Sequence, residues 1–245
     1  MVIQGVATAA ALLQVSGLRF GWKGEKAALL QIDNLTIQPG ESVFIHGPSG
    51  CGKSSLLGLL GGVLLPQAGS IQLAGADLTR LPARQRERAR VDHTGFIFQQ
   101  FNLIPYLGVL ANVLLPCQFS SRRAARASAS DGSPQRAAQR LLTAVGLDSD
   151  AHRRPVTSLS VGQQQRVAAA RALIGSPELV LADEPTSALD ADTQEIFLRL
   201  LFDECRRANS ALLFVSHDQR LAGQFQRRID LPALNRPAPA EGVSP

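Results

Sequence analysis

Cysteine is scarce in this chain. The three present, Cys51, Cys117 and Cys205, are odd in number, far apart and never in a CxxC pair. That spacing excludes a disulfide framework and a zinc site of ordinary ligand geometry, and it suits a reducing compartment. Aromatic residues are only 5% of the chain. No run of 18 or more apolar residues occurs, so no transmembrane helix is expected. The opening "MVIQGVATAAALLQVSG" is mildly apolar but lacks a positively charged leader, and it is not read as a signal peptide. A cytoplasmic protein is the expectation. Heptads and internal repeats are absent too, which argues against a coiled coil or a solenoid.

What is there points to a folded α/β protein. The 245 residues, 45% hydrophobic and 18% charged, suffice for one large domain or two small ones with a sizeable core. The net charge of +5 is unevenly placed: Phe119 to Arg154 holds seven Arg and three Asp, a local balance of +4. A solvated face, a face near anionic lipid headgroups and a nucleic-acid surface all produce such a run. No aromatics interleave with these arginines, which weighs against nucleic acid. Within it, Ser120 to Ser133 is small, polar and Arg-rich, and reads as a mobile loop.

Short apolar runs alternate with helical patterns. "ESVFIHG", "IQLAG", "TGFIFQQ", "PELVLADEP" and "ALLFVSHD" read as strands. "KSSLLGLLGG" and "RLPARQRERAR" read as helices. "SPQRAAQRLLTAVGL" has Ser133 at the N-cap, Pro134 at the first helical position and Gly146 as a stop. "DADTQEIFLRLLFDECRRA" reads as a helix capped by Asp190, with Ile196, Leu200 and Leu201 on one side. Strands that run straight into helices predict a parallel sheet covered on both faces. The Pro-rich "PALNRPAPAEGVSP" reads as a disordered tail.

"GPSGCGKSS", Gly47 to Ser55, matches GxxxxGK[ST], with a strand before it and a helix after it. Gly47, Gly50 and Gly52 let the backbone curl so that N–H groups converge on phosphate oxygens. Pro48, Ser49, Cys51 and Ser55 complete the loop, and the helix N-terminus near Lys53 adds positive potential. Lys53 is placed to reach β- and γ-phosphates, and the Ser54 hydroxyl to bind Mg²⁺. "LVLADEP" carries Asp183 and Glu184 to the carboxyl end of a strand, where open α/β sheets bind ligands. Asp183 suits Mg²⁺, directly or through water, and Glu184 suits the polarising of an attacking water. A plain Gly-rich turn and an acidic strand end are the alternatives, and neither accounts for both features together.

The stretch "LSVGQQQR", Leu159 to Arg166, opens what reads as a helix. Its polar start is either a capped surface helix or a site for an anion. With the motifs above it resembles the ATP-binding cassette (ABC) ATPases, whose signature reads LSGGQ. Here that is Leu159, Ser160, Val161, Gly162 and Gln163. Further matches follow in family order. Gln99 in "FQQ" resembles the Q-loop residue. "SALD", ending at Asp190, resembles the D-loop. His217 in "VSHD" resembles the switch histidine, with an ordinary strand-end residue as the alternative. Trp22 stands where the family places an adenine-stacking aromatic, with Phe20 as the alternative. The likeness covers roughly residues 12 to 230.

The resemblance implies a fold and a set of partners. The fold is an α/β P-loop NTPase nucleotide-binding domain: a mostly parallel sheet core, an N-terminal antiparallel β region and a helical subdomain. The division expected is a catalytic core over 12–98 and 155–230, a helical subdomain over 99–154 and a tail over 231–245. The cofactors implied are ATP and Mg²⁺, with Ser54, Gln99 and Asp183 at the metal. The catalytic residues implied are Glu184, His217, Lys53 and Gln99. The partners implied are a second copy, or a second ABC ATPase subunit, in a head-to-tail dimer, and integral membrane permease subunits at the cytoplasmic face of the inner membrane. No nucleic acid is expected. In the dimer, Ser160, Gly162 and Gln163 of one chain cover the ATP held by the other. Val161 replaces the first glycine of the signature. A β-branched residue resists positive φ, so this position is expected not to need a glycine-only conformation. The wording resembles the branch that includes lipoprotein-releasing, macrolide-exporting and division-associated ATPases. Export or extraction, and mechanical regulation of cell-wall enzymes in division, both stay open. A soluble ABC ATPase of repair or translation, which ordinarily has two cassettes or a coiled-coil insertion, fits less well.

Overall fold

Five short strands with almost no exposed side chains make the centre of the molecule. A computed structural model describes residues 10–24, 27–187 and 189–235. The central sheet is parallel, in the order β6 (Thr94–Ile97), β7 (Leu179–Asp183), β8 (Ala211–Val215), β3 (Ser42–His46), β9 (Arg227–Asp230). Side chains alternate across it. Phe44, Val180, Ala182, Leu212 and Phe214 enter one core, and Val43, Ile45, Leu179, Leu181, Leu213 and Val215 enter the other. A parallel sheet must be covered on both faces, which is why these strands read as continuous apolar runs. Each fully buried Leu or Phe contributes about 1.5–3 kcal/mol relative to exposure.

The second core is closed by an antiparallel sheet, in the order β2 (Leu30–Ile37), β1 (Leu13–Phe20), β4 (Ala68–Leu73), β5 (Ala76–Asp77), and by α1 (Lys53–Leu60). The first core is closed by α3 (Val109–Phe119), α5 (Pro134–Ala144), α6 (Val161–Leu173) and α7 (Ala191–Ala208). The charged α2 (Ala83–His93) buries no residue fully and rides outside, next to β6. Ser133 caps α5 with Pro134 behind it, as its punctuation predicts.

Three local readings need correction. The expected loop over 120–133 is a helix, α4 (Ser121–Asp131). Ser120 caps it by accepting from the Arg123 N–H, and Gly132 ends it in the left-handed conformation. Alanine and arginine are good helix formers, and serines at the cap and along the helix disguised the segment as a loop. On α7 the buried stripe is Gln194, Phe197, Leu198, Leu201 and Cys205. Ile196 is 54% exposed, because a 3.6-residue period places it off the stripe that Phe197 and Leu201 define. The Pro-rich C-terminal segment begins in order: α8 (Leu231–Leu234) buries Leu231, and the Asn235 side chain donates to the Leu29 carbonyl and accepts from the Gln31 N–H. The readings of the first nine residues and of the tail from 236 on lie outside the described residues, as does Ala188 within the D-loop match.

Candidate nucleotide site

Four central strands end at one edge, and each hands its next residues to the same cleft. β3 runs into the phosphate loop, β6 into Phe98 and Gln99, β7 into Asp183 and Glu184, and β8 into Ser216 and His217. Parallel strands gather these groups because all their carboxyl ends lie on one side. The cleft measures about 500 Å³ and is lined by Trp22, Leu29, Ser49, Gly50, Gly52, Lys53, Ser54, Ser55, Gln99, Asp183, Glu184 and His217. Nearly all of these are residues that the sequence singled out. Leu29 was missed; an apolar residue one position before a strand carries no signal of its own.

The phosphate loop is shaped by contact as much as by flexibility. Gly50 and Gly52 have φ of 79° and 97°, in the left-handed region where glycine alone is unstrained. A side chain at Gly47 would stand 2.7 Å from Cys51 Sγ and 3.0 Å from Pro232 Cδ. The Cys51 side chain therefore turns toward Gly47, away from the cleft, and it packs against the apolar layer. Lys53 Nζ donates to the carbonyls of Gly47 and Pro48, at 2.9 and 3.0 Å. Those two residues hold the lysine over the loop and do not line the cleft themselves. Trp22 is 47% exposed and meets Phe20 edge-on, with ring centroids 5.2 Å apart. Phe20 is only 6% exposed, so Trp22 is the ring free to stack.

Glu184 sits in a strained conformation, with φ of 46° and its N–H donating to the Val215 carbonyl. Non-glycine residues in this region cost about 1–3 kcal/mol and collect at functional sites. The twist turns the carboxylate onto His217, whose Nδ1 lies 2.9 Å from Oε2. Around the same cleft stand the Ser54 hydroxyl, the Gln99 amide and the Asp183 carboxylate. These are hard oxygen donors, a set that suits Mg²⁺.

Ser160, Gly162, Gln163 and Asp190 do not line this cleft. Ser160 caps α6 in a capping box. Its hydroxyl accepts from the Gln163 N–H at 3.3 Å, and the Gln163 amide oxygen accepts from the Ser160 N–H at 3.0 Å. The hydroxyl proton remains available to a further acceptor. Val161 opens the helix with a right-handed conformation and is 53% exposed, so this position does not demand a glycine. The three glutamines act differently. Gln163 closes the box, Gln164 donates to the Leu159 carbonyl, and buried Gln165 donates to the Pro185 carbonyl. Gln165 thereby ties the signature helix to the loop just after Glu184, a role that a polar residue in an amphipathic pattern did not announce. Asp190 caps α7, accepting from both the N–H and the hydroxyl of Thr193. Those bonds hold its carboxyl below the usual range.

Comparisons with known proteins agree with this geometry. The family model described as ABC transporter matches residues 30–187. The chain is 41% identical over 208 residues to a lipoprotein-releasing system ATP-binding protein, LolD 1, of Rhodopirellula baltica, covering 85% of this chain and 87% of that one. It is 38% identical over 226 residues to the macrolide export ATP-binding/permease protein MacB of Rhodopseudomonas palustris, covering 91% of this chain but 33% of that longer protein. The chain thus spans about a third of the length of its macrolide-export relatives. Among solved structures, a dimeric post-hydrolysis state of the ATP-binding cassette MJ0796, bound to ADP and Pi, superposes with a TM-score of 0.78 at 32% identity, over 94% of this chain and all of that one. With a family model over more than half its length and a cleft built from the family's own motifs, the chain belongs to the ABC transporter family, as an ATP-hydrolysing cassette.

Proposed function

We propose that this cassette works as one half of a head-to-tail dimer that sandwiches two MgATP and drives a separate membrane permease. The observation that carries this reading is the separation of the two parts. The phosphate loop, Asp183, Glu184 and His217 share one cleft, while Ser160, Gly162 and Gln163 stand outside it at the capped N-terminus of α6, with the Ser160 hydroxyl proton not used in the cap. A helix N-terminus attracts anions, and the anion it suits is the γ-phosphate in a neighbour's cleft. The dimeric MJ0796 cassette supports the arrangement by likeness.

Within the cleft the residues divide the work. Trp22 offers its face to adenine. Lys53 exchanges the loop carbonyls for phosphate oxygens, and the loop N–H groups receive the rest of the charge. Ser54, Gln99 and Asp183 would hold Mg²⁺, which would supply positive charge to offset that of the phosphates. Glu184 orients the attacking water and takes its proton. His217 is already on the Glu184 carboxylate. A ring that bridges this carboxylate and a phosphate oxygen donates from both nitrogens. Asp190 carries the state of one site to the other half. This is positioning plus electrostatics.

No helix among the described residues is long and apolar enough to cross a membrane; the permease of this reading is a partner. A groove of about 230 Å³ opens directly after the Gln99 loop, between α2, β6 and α3, lined by Phe96, Phe98, Leu115, Pro116 and Phe119. Phe119 is 66% exposed. We assign this groove to a helix of the permease, and with it a position for the cassette at the cytoplasmic face of the inner membrane. Export or extraction of a substrate is the reading that the LolD and MacB likeness favours.

The deciding experiment is the mass in solution of the Glu184→Gln form with and without MgATP. The expected result is an ATP-dependent shift from one-chain to two-chain mass. A form that binds ATP yet keeps one-chain mass at high concentration, with and without Val161→Gly, overturns the dimer.

A further inference from the structure

Three arginines of α4 grip the turn that joins the signature helix to β7, the strand that runs into Glu184. Arg123 is 2% exposed and donates Nε to the Ile174 carbonyl at 2.7 Å and Nη2 to the Ala172 carbonyl at 2.6 Å. Its Nη1 donates to the Thr94 carbonyl of β6 at 3.3 Å. Arg126 donates Nη1 to the Ser176 carbonyl at 2.7 Å and Nη2 to Glu178 at 2.6 Å. Arg122 donates to the same Glu178 oxygen at 2.6 Å, and His93 lies 3.1 Å from the other. The turn is held so close that a side chain at Gly175 would stand 2.6 Å from Arg123 Cβ and from the Arg123 carbonyl oxygen. Gly175 and Ser176 both adopt positive φ, 69° and 49°.

The acceptors explain the arrangement. Ala172 and Ile174 belong to the C-terminal end of α6, where carbonyls lack helical partners and the helix dipole is negative. Guanidiniums are suited to such an end because they offer several donors in a fixed plane. Five residues on from Glu178, β7 ends at Asp183, with Glu184 next. At the other end of α6 stands Ser160. A helix is a stiff rod, so the direction set at its C-terminus determines where its N-terminus points.

The geometry points to Arg123, Arg126 and Glu178 as positioning residues for hydrolysis: through the turn at 174–178 they set the angle between the signature helix and the strand that carries the catalytic carboxylate. The clamp deepens the dimer reading, since the lid must meet its partner's cleft at a fixed angle. It touches neither nucleotide nor water. Loosening it leaves ATP binding to the single chain intact and impairs the steps that need lid and cleft together.

The test is a series at half-buried Arg126, where substitution leaves the core untouched: Arg126→Gln and Arg126→Lys, each measured for kcat, KM and nucleotide affinity. Arg126→Gln is expected to lower kcat by about ten- to a hundredfold, the loss that small misplacements cause, with nucleotide affinity and thermal midpoint near those of the parent. Arg126→Lys, which restores one charged donor, is expected to recover part of kcat. Turnover at the parent rate in Arg126→Gln overturns the proposal. So does a loss shared equally with nucleotide affinity and unrescued by lysine, which is the mark of a merely structural residue. The same substitutions in the Glu184→Gln background are expected to weaken the ATP-dependent mass shift. If the parent Glu184→Gln form itself stays monomeric, with and without Val161→Gly, the dimer reading fails, and the kcat comparison still decides the clamp.

Discussion

Glu184 shows how much a single residue depends on its backbone. Its left-handed φ and its bond to the Val215 carbonyl turn the carboxylate onto His217 and into the cleft. Glu184→Gln keeps the side-chain volume but cannot take a proton. It is expected to lower kcat by about 10²–10⁴-fold while nucleotide affinity stays within a few-fold of the parent, measured by phosphate release and by direct nucleotide titration. Retained turnover would reassign the general base. Cys51 is the opposite case. It lies inside the phosphate loop by sequence, yet its sulfur faces Gly47 rather than the cleft. It does not line the cleft.

At the scale of elements, α4 shows where a sequence pattern misleads. Its small and charged residues resemble a loop, but Ser120 and Gly132 punctuate a helix, and one face of that helix carries the arginines that hold Glu178. Burial alone would raise the Glu178 carboxyl. The bonds donated by His93, Arg122 and Arg126 outweigh it and hold the group well below the usual carboxylate range. A depressed carboxyl contributes stability that is present above its unfolded value, about 4.3, and is lost as pH falls below that value toward the folded one. The thermal midpoint of the parent is therefore expected to drop between about pH 5 and pH 3 more steeply than that of Glu178→Gln. Equal slopes would show that Glu178 contributes nothing in that window.

Across the whole molecule, the cleft is assembled from segments that span residues 22 to 217, so a ligand that fills it would tie together parts of the chain far apart in sequence. A ligand that binds only the folded state stabilises by about 2.7 kcal/mol at a hundred times its Kd. MgATP at that excess is expected to raise the thermal midpoint by several degrees, and Lys53→Ala to abolish the rise without unfolding the chain. A rise that survives Lys53→Ala would place the nucleotide elsewhere. The two cores on either face of the central sheet make such coupling possible, since the strands that carry the site are shared by both.

The fold class and the candidate motifs were legible in the sequence alone. The phosphate loop, the acidic strand end and the capped signature helix are contiguous stretches. Their spacing, capping residues and apolar strand runs act over a few residues, where short-range physics suffices. Tertiary structure decided what depends on contact between distant segments. It turned Cys51 away from the cleft, kept Pro232 against Gly47, exposed Ile196 while burying Phe197, and set Gln165 and the α4 arginines on carbonyls that no local pattern reveals. Those choices rest on which backbone groups packing leaves without partners, and only the assembled fold settles that.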